Sequence, residues 1–394
     1  MIAAQSQIII VGGGVVGLAM AVGLARENIS VALIEGVEPE TEWPEESVDM
    51  RVFAITRASE RLFNALDVWD AIVESGVSQF HDMRVWDAAG KGNIHFDAAE
   101  VGQPWLGHII ESRVISRALF KALQSLPSAS LYCPSTVAAF SQQGDAHQVT
   151  LEDGTELTGD LLIGADGKAS KVRDYADIQA PGVSYDQQAL VCIVETELPH
   201  QKTAWQRFLP TGPLAFLPLR DGRSSIVWSA TSQEAERLIA LDKAAFCMEL
   251  SRAFDFRLGV VMDSSERILF PLIRQHAGSY VKPGLALVGD AAHVIHPLAG
   301  QGVNLGLSDV RELSQVIKRA LLSDRNPGSL SVLRRYERAR KGDNLMMMSA
   351  MTGFNNLFGS PVLPVQLIRN LGLDLVDRVT PVKHKIMREA MGFE

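Results

Sequence analysis

The sequence predicts an α/β fold, and three apolar runs predict it: Ile8–Val11, Leu161–Ile163 and Leu285–Val288. Each is followed at once by glycine, and in the two later cases an aspartate comes within three residues. Short β-branched or leucine-rich runs without polar alternation are what a strand covered on both faces requires. At 394 residues the chain is long enough for two or three domains. Hydrophobic residues at 47% and charged residues at 21% exclude a mainly disordered, collagen-like or coiled-coil chain. The 37 basic and 46 acidic residues leave a net charge of −9, which argues against a nucleic-acid partner. Cys133, Cys192 and Cys247 are isolated, with no CxxC pair; they read as core cysteines, not as a disulfide framework or a zinc site.

The first run opens a familiar unit. Ile8–Val11 leads into Gly12-Gly13-Gly14-Val15-Val16-Gly17, a GxGxxG match, and then into Leu18, Ala19, Val22 and Leu24 at helical spacing. Asn28-Ile29-Ser30 ends that helix, Val31–Ile34 forms a second strand, and Glu35 closes it 18 residues after Gly17. In such a strand–turn–helix, Gly12 permits the tight turn, Gly14 lets backbone approach a pyrophosphate, and Gly17 lets helix and strand pack closely. Glu35 is placed to accept hydrogen bonds from a ribose diol. The unit predicts a Rossmann-like dinucleotide-binding fold without distinguishing NAD from FAD. Residues 1–25 carry no charge, but the glycines divide the stretch, and it reads as a buried strand and helix instead of a membrane span.

The second run ends in Gly164-Ala165-Asp166-Gly167, with Ser170 and Arg173 following. The third continues through Gly289-Asp290-Ala291-Ala292-His293, His296-Pro297 and Gly300-Gln301-Gly302-Val303-Asn304. That string has too few large side chains for a core segment and reads as backbone brought against a flat ligand. Asp290, at a strand end, suits sugar-like hydroxyls. Gly302, Val303 and Asn304 would open a helix whose first amides lack internal acceptors and so favour an anion.

These three signatures, in this order, resemble those of the class A flavoprotein aromatic hydroxylases. Arg51-Val52-Phe53-Ala54-Ile55, Leu106-Gly107-His108-Ile109, Ser225–Ser229 and Tyr336-Glu337-Arg338 make the chain most similar to the hydroxylases of ubiquinone biosynthesis that act on 2-polyprenylphenol. The resemblance implies a p-hydroxybenzoate hydroxylase-like FAD-binding domain over 1–80, 106–182 and 276–345, an inserted α+β substrate domain over 81–105 and 183–275, and a helical C-terminal tail over 346–394. It implies FAD as cofactor, NAD(P)H as electron donor and O2 as co-substrate, with ring hydroxylation through a flavin C4a-hydroperoxide. Gly12, Gly14, Val15, Gly17 and Glu35 would serve the ADP half of FAD, and Arg51 the flavin or its phosphates. Asp166 would lie near the pyrophosphate, Asp290 at the ribityl or pyrophosphate region, and Gly302, Val303 and Asn304 at the pyrimidine edge. Arg113 or Arg117 would match a further family arginine. Pro297 is expected beside the flavin, and His296 is the candidate for proton transfer, with His293 next to it. The implied partners are a lipophilic polyprenylphenol and other ubiquinone-biosynthesis proteins, in the cytoplasm or peripheral at the inner membrane. Another class A monooxygenase and a flavin-bearing scaffold subunit are the alternatives.

Elsewhere, Gly212–Leu219, the Asp221-Gly222 turn and Ser224–Ala230 read as a hairpin. Phe216, Pro218, Val227 and Trp228 are candidates to line a pocket, with ordinary sheet core the favoured reading for most. The acidic run Glu38 to Asp49 reads as a solvated loop or a lid, and Arg334, Arg335, Arg338, Arg340 and Lys341 as a solvated helix face. Met346, Met347, Met348 and Met351 read as core filling. The tail beyond Phe354 is left open between packing on the body, a partner surface and a membrane contact.

Overall fold

A computed structural model describes residues 4–44, 47–90, 92–144, 146–295, 301–359, 376–377 and 379–392. The opening unit is β1 (Ile8–Val11), α1 (Val15–Ala25) and β2 (Val31–Ile34). Asn28 takes the left-handed conformation that turns the chain from α1 to β2, with φ +59°. Next come β3 (Val52–Thr56), α2 (Arg57–Ala65), the hairpin β4 (Asp82–Asp87) and β5 (Asn93–Asp97), β6 (Gly107–Glu111) and α3 (Ser112–Gln124). β7 (Leu161–Gly164) leads into α4 (Lys171–Tyr175). A long antiparallel stretch follows: β8 (Gly182–Thr196), β9 (Thr203–Leu209), β10 (Gly212–Pro218), β11 (Ser224–Thr231), α5 (Ser232–Ala240), α6 (Lys243–Ala253) and β12 (Ile268–His276). The chain closes with β13 (Leu285–Leu287), α7 (Gln301–Leu322), α8 (Leu330–Gly359) and α9 (Thr380–Ala390).

Strands β13, β7, β1 and β2, with Ala129–Tyr132, lie side by side and parallel. All four residues of β1, β2 and β7 are buried, as expected of strands with no solvent face. α1 packs on this sheet between α3 and α7 and is buried around most of its circumference. That explains the uncharged opening of the chain: a helix apolar all round is enclosed by protein. Among the described residues no helix is long and apolar enough to cross a membrane.

The second large sheet runs β12-β8-β11-β10-β9-β4-β5, antiparallel except where β9 and β4 run parallel. Its strands come from three separated stretches, 82–97, 182–276 and the two-residue His293–Val294, which pairs with His276 and Gln275 of β12 at the edge. Register fixes its two faces, because directly paired residues share a side. Leu190, Trp228 and Leu214 form one row, and Cys192, Ile226 and Phe216 the next. Both rows are buried beneath Leu238 of α5 and Phe246, Leu250 and Phe254 of α6. Phe216 and Trp228 therefore belong to the core and not to a pocket. The opposite face carries Ile268, Val191, Val227 and Ala215 in one row. One end of this face packs under β3 and β6, through Ile193, Leu217, Ile109, Val52 and Ala54. The other end is covered by the last turns of α8, where Phe358 stacks on Phe208 at 3.9 Å.

α8 is a single helix of 30 residues that joins the two sheets. Tyr336 is buried in the parallel-sheet core, and further along Thr352 meets Tyr185 of β8 at 3.1 Å. Met348 packs with Ile295 and Leu305, whereas Met346 is exposed, so the methionine run is only partly core. The solvated-face reading of the basic stretch fails at Arg340, which is buried; Arg334, Arg335 and Arg338 are exposed. Residues 379–392 pack on the body. Met387 and Met391 meet Ala98 and Leu106, and Lys383 bonds Glu100 at 2.9 Å and Asp377 at 3.1 Å. The tail between 360 and 375 lies outside the described residues. All three cysteines are free, Cys192 and Cys247 buried and Cys133 half-buried.

The two-face assignment makes a prediction. Phe216→Ala should cost about 3–5 kcal/mol of stability, because Phe216 is buried and stacks on Phe254 at 3.7 Å. Chemical unfolding would show the loss, and the folded fraction should keep its affinity for ligands on the opposite face.

Candidate functional site

Three strand ends meet at one edge of the parallel sheet. Gly12 has φ +104°, and a Cβ there would stand 2.4 Å from the Ala165 carbonyl oxygen. A Cβ on Gly17 would stand 1.9 Å from the Gly12 oxygen. These two positions need glycine because backbone lies directly against backbone. Gly14 differs: a Cβ there would meet nothing within 4 Å. It sits at the N-cap of α1, whose first turn has no side-chain cap. The amides there, including that of the buried Val15, face open space as an uncapped anion cradle. Glu35 closes β2 as expected. Its carboxylate accepts the amides of Gly13 and Val37, the latter at 2.9 Å, which leaves lone pairs for two hydroxyls.

The second and third turns are tied together by Arg173. This buried side chain donates to the carbonyls of Ala291 at 3.1 Å and Lys168 at 2.9 Å. Asp166 faces inward along the same turn. It accepts from Ser170 Oγ at 2.5 Å and from the Val172 amide at 3.1 Å, so it organises the start of α4. Burial raises its carboxyl pKa despite those bonds.

Asp290 follows Gly289, which takes φ +58° and packs against Val16. Asp290 is exposed beyond the end of β13, with protein crowding its carboxyl. That enclosure pushes its carboxyl above the usual range, against the nearby charges of His293, Arg51 and Lys168. Arg51 is exposed, with its guanidinium 5.4 Å from the Phe53 ring centre. Lys168, unremarked in the sequence, thus joins Arg51 as a cation beside this carboxylate; its place in the Asp166-Gly167-Lys168 turn was the available signal.

Gly302 faces open space and Val303 is half-buried at the start of α7. The Asn304 side chain is buried. Its oxygen accepts from Ser59 Oγ at 2.7 Å and from the Thr56 amide at 3.1 Å, and its nitrogen donates to the Ala54 carbonyl at 2.8 Å. Asn304 therefore locks α7 to β3 and α2, and only its backbone remains for the cleft. Gly107 and His108 gain a physical reason from the same region. A Cβ on Gly107 would stand 2.6 Å from the Ile55 oxygen, and buried His108 holds Glu60 at 2.9 Å. Burial alone would raise the Glu60 carboxyl; the hydrogen bonds from His108 and Trp105 outweigh it and hold the pKa low.

The acidic loop before β3 is pinned. Arg113 bonds Glu111 at 2.9 Å and the Ser47 carbonyl at 2.5 Å, while its own amide donates to Asp49 at 3.2 Å. Trp43 lies against both Arg113 and Arg117, 4.5 and 4.3 Å from their guanidinium carbons. The Arg113 side chain thus acts on the loop, which carries Arg51 at its end.

His296 and Pro297 lie outside the described residues. His293 is buried, and its Nε2 donates to Asp309 Oδ2 at 2.5 Å. It serves a network that the sequence reading missed. Asp309 Oδ1 accepts from Arg340 Nε at 2.9 Å, and Arg340 reaches Asn344 at 2.8 Å. Asn344 donates to Tyr280 Oη at 3.2 Å, and Tyr280 in turn reaches His276 at 2.9 Å. The signal was present: Asp309 sits on the stripe with Leu305, Leu313, Val316 and Ile317, where an unpaired charge would be costly. No group of acidic, histidine or cysteine side chains suited to a metal occurs among the described residues.

Residues 5–346 match the FAD binding domain family model. The chain is 38% identical to 3-demethoxyubiquinol 3-hydroxylase of Escherichia coli, over 98% of both chains. It is 39% identical to ubiquinone hydroxylase UbiL of Rhodospirillum rubrum, over 98% of this chain and 90% of that one. It is 36% identical to the mitochondrial ubiquinone biosynthesis monooxygenase COQ6 of Danio rerio, over 96% and 88%. In fold it is similar to p-nitrophenol 4-monooxygenase PnpA of Pseudomonas putida, with TM-score 0.80, 17% identity and 99% of both chains covered. The chain belongs to the FAD-dependent hydroxylase family that contains the ubiquinone hydroxylases, and it is a flavoprotein monooxygenase.

Two outcomes follow from the geometry. Gly12→Ala should abolish tight FAD binding, since the added methyl strikes the Ala165 carbonyl; titration of the apoprotein with FAD reads this directly. The second concerns acid. Burial, with the positive charges of His293 and Lys341, lowers the His276 pKa to about 4 from 6.5. The unfolded chain then binds this proton more readily than the folded one. His276 contributes stability in full above about pH 6.5 and loses it as pH falls toward 4. Urea midpoints across that window should decline, and less steeply in His276→Gln.

Proposed function

We propose that this protein hydroxylates the aromatic ring of a polyprenylated phenol in ubiquinone biosynthesis, with NAD(P)H as electron donor and O2 as co-substrate. The observation that supports the substrate class is an apolar strip on one face of the large sheet. Ile268 and Phe270 are 39% and 48% exposed, beside half-buried Val191, Val227 and Ala215 on one face. An apolar strip of this kind suits a ring bearing a hydrocarbon chain better than a small charged acid. The relatives' names support the same class of substrate: a 3-demethoxyubiquinol 3-hydroxylase, a ubiquinone hydroxylase and a ubiquinone biosynthesis monooxygenase.

The residues fit FAD. Gly12, Gly14, Val15 and Gly17 would cradle the pyrophosphate on the amides of α1, and Glu35 would take the ADP ribose. Arg51 would neutralise phosphate or flavin charge, and Arg113 would hold the loop that positions it. Asp166 would shape the second turn near the pyrophosphate, and Asp290 would take the ribityl hydroxyls. The backbone amides of Gly302, Val303 and Asn304 would meet the pyrimidine edge, where the dipole of α7 favours negative charge. FAD bound there would supply the redox chemistry that couples NAD(P)H oxidation to insertion of one O2 atom into the ring, with the other leaving as water. The protein orients the ring against the strip and excludes water from it. His296 and Pro297 lie outside the described residues; the family resemblance would give Pro297 a role at the flavin and His296 that of proton transfer at the phenol.

Purified protein given NADPH and air should convert a 2-polyprenylphenol and leave p-hydroxybenzoate untouched; turnover of the small acid alone would overturn the proposal. Val227→Phe should crowd the strip and raise the KM for the prenylated phenol roughly tenfold, with FAD affinity unchanged. Deleting the gene in its host should accumulate the unhydroxylated precursor, identified by mass.

A further inference from the structure

We propose that Asp309 is a positioning residue for the flavin, acting through the Gly289–His293 turn that presents Asp290 to the cleft. The carboxylate is wholly buried and has three donors of different origin. Oδ2 accepts the Gly289 amide at 3.1 Å and His293 Nε2 at 2.5 Å, so it grips both ends of the turn. Oδ1 accepts Arg340 Nε at 2.9 Å, from α8. Arg340 is itself steadied by Asn344, also fully buried, at 2.8 Å. A few ångströms away Tyr336 Oη donates to the Leu287 carbonyl at 2.8 Å, fixing the strand that feeds the turn.

Gly289 adopts a left-handed conformation between β13 and Asp290, with Val16 packed against it and its own carbonyl accepting the Ala292 amide at 2.9 Å. Its amide hydrogen bond to Asp309 adds a further restraint. Asp290 is the very next residue, so a rotation at Gly289 would swing its carboxylate relative to Arg51 and Lys168. A buried carboxylate with all three donors satisfied is costly to disturb, which is how such a group holds a geometry. Burial alone would raise the Asp309 carboxyl; the charge and hydrogen bond of His293, and then those of Arg340, outweigh it and hold the pKa low. The inference rests on assigning Asp290 to the flavin.

The test uses the full-length protein, titrated with FAD after the flavin has been stripped, with thermal melts in parallel. Asp309→Asn keeps the shape but sets an amide against Gly289 or His293. It should weaken FAD binding roughly tenfold, the loss of one charge-assisted hydrogen bond. Adding Arg340→Met removes the stranded cation. The double variant should recover much of the lost Tm without recovering FAD affinity. Leu250→Ala, in the core of the other sheet, supplies a comparable Tm loss and should leave FAD affinity alone. In wild-type protein the Gly289 amide should exchange slowly with and without FAD. The proposal is overturned by an unchanged FAD Kd in folded Asp309→Asn, by affinity that returns together with Tm in the double variant, or by an equal FAD loss in Leu250→Ala. Rapid exchange of the Gly289 amide in wild type would also overturn it, even if no Asp309 variant folds. Asp290→Ala separates the two layers: unchanged FAD affinity there refutes the assignment of Asp290 itself.

Discussion

Backbone crossing backbone at the edge of the parallel sheet is the contact on which the remaining architecture depends. The carbonyl of Gly12 lies where a Gly17 side chain would be, and the carbonyl of Ala165 lies where a Gly12 side chain would be. No other residue type fits either position, so the first helix can start flush with its strand and the second turn can close over it. The open ground above Gly14 exists because the ground beneath it is full. Packing this tight also sets the composition of α1, which is apolar because it lies between two helices and a sheet.

Polar side chains then fasten the turns that glycine brings together. Arg173 reaches across from the second turn to the third, Asn304 ties α7 to β3 and α2, and the Asp309–Arg340 pair holds the third turn from behind. Each buries a charge or an amide with its hydrogen bonds satisfied, the arrangement in which such groups confer geometric definition. Asp290 and Arg51 remain exposed, whereas the groups that place them are enclosed. The division is physically sensible: a side chain that must meet a ligand cannot also spend its bonds on the protein.

Motifs governed by local backbone geometry were readable in the sequence. The GxGxxG unit, the two later strand–glycine–aspartate turns and the Asp221-Gly222 hairpin all depend on neighbours a few residues apart, and the structure has them where their spacing implies. The faces of the large sheet were less legible. Phe216 and Val227 look equally fit to line a pocket until register shows that one points to α6 and the other away. Long-range pairing was the least legible. Arg340 sits among four other cations in sequence, and only the approach of α7 brings Asp309 to it. Arg113, similarly, is spoken for by Ser47 and Trp43, residues that loop closure alone brings near.

The length of α8 has a mechanical consequence. From Arg340 to Phe358 it spans 18 residues, or about 27 Å of continuous helix. One end is fixed to the parallel sheet through Tyr336 and to α7 through Arg340, and the other lies on one end of the large sheet. A beam fixed at both ends maintains the gap between its supports. This helix therefore acts as a spacer between the two sheets, and cutting it would alter the width of the crevice between them.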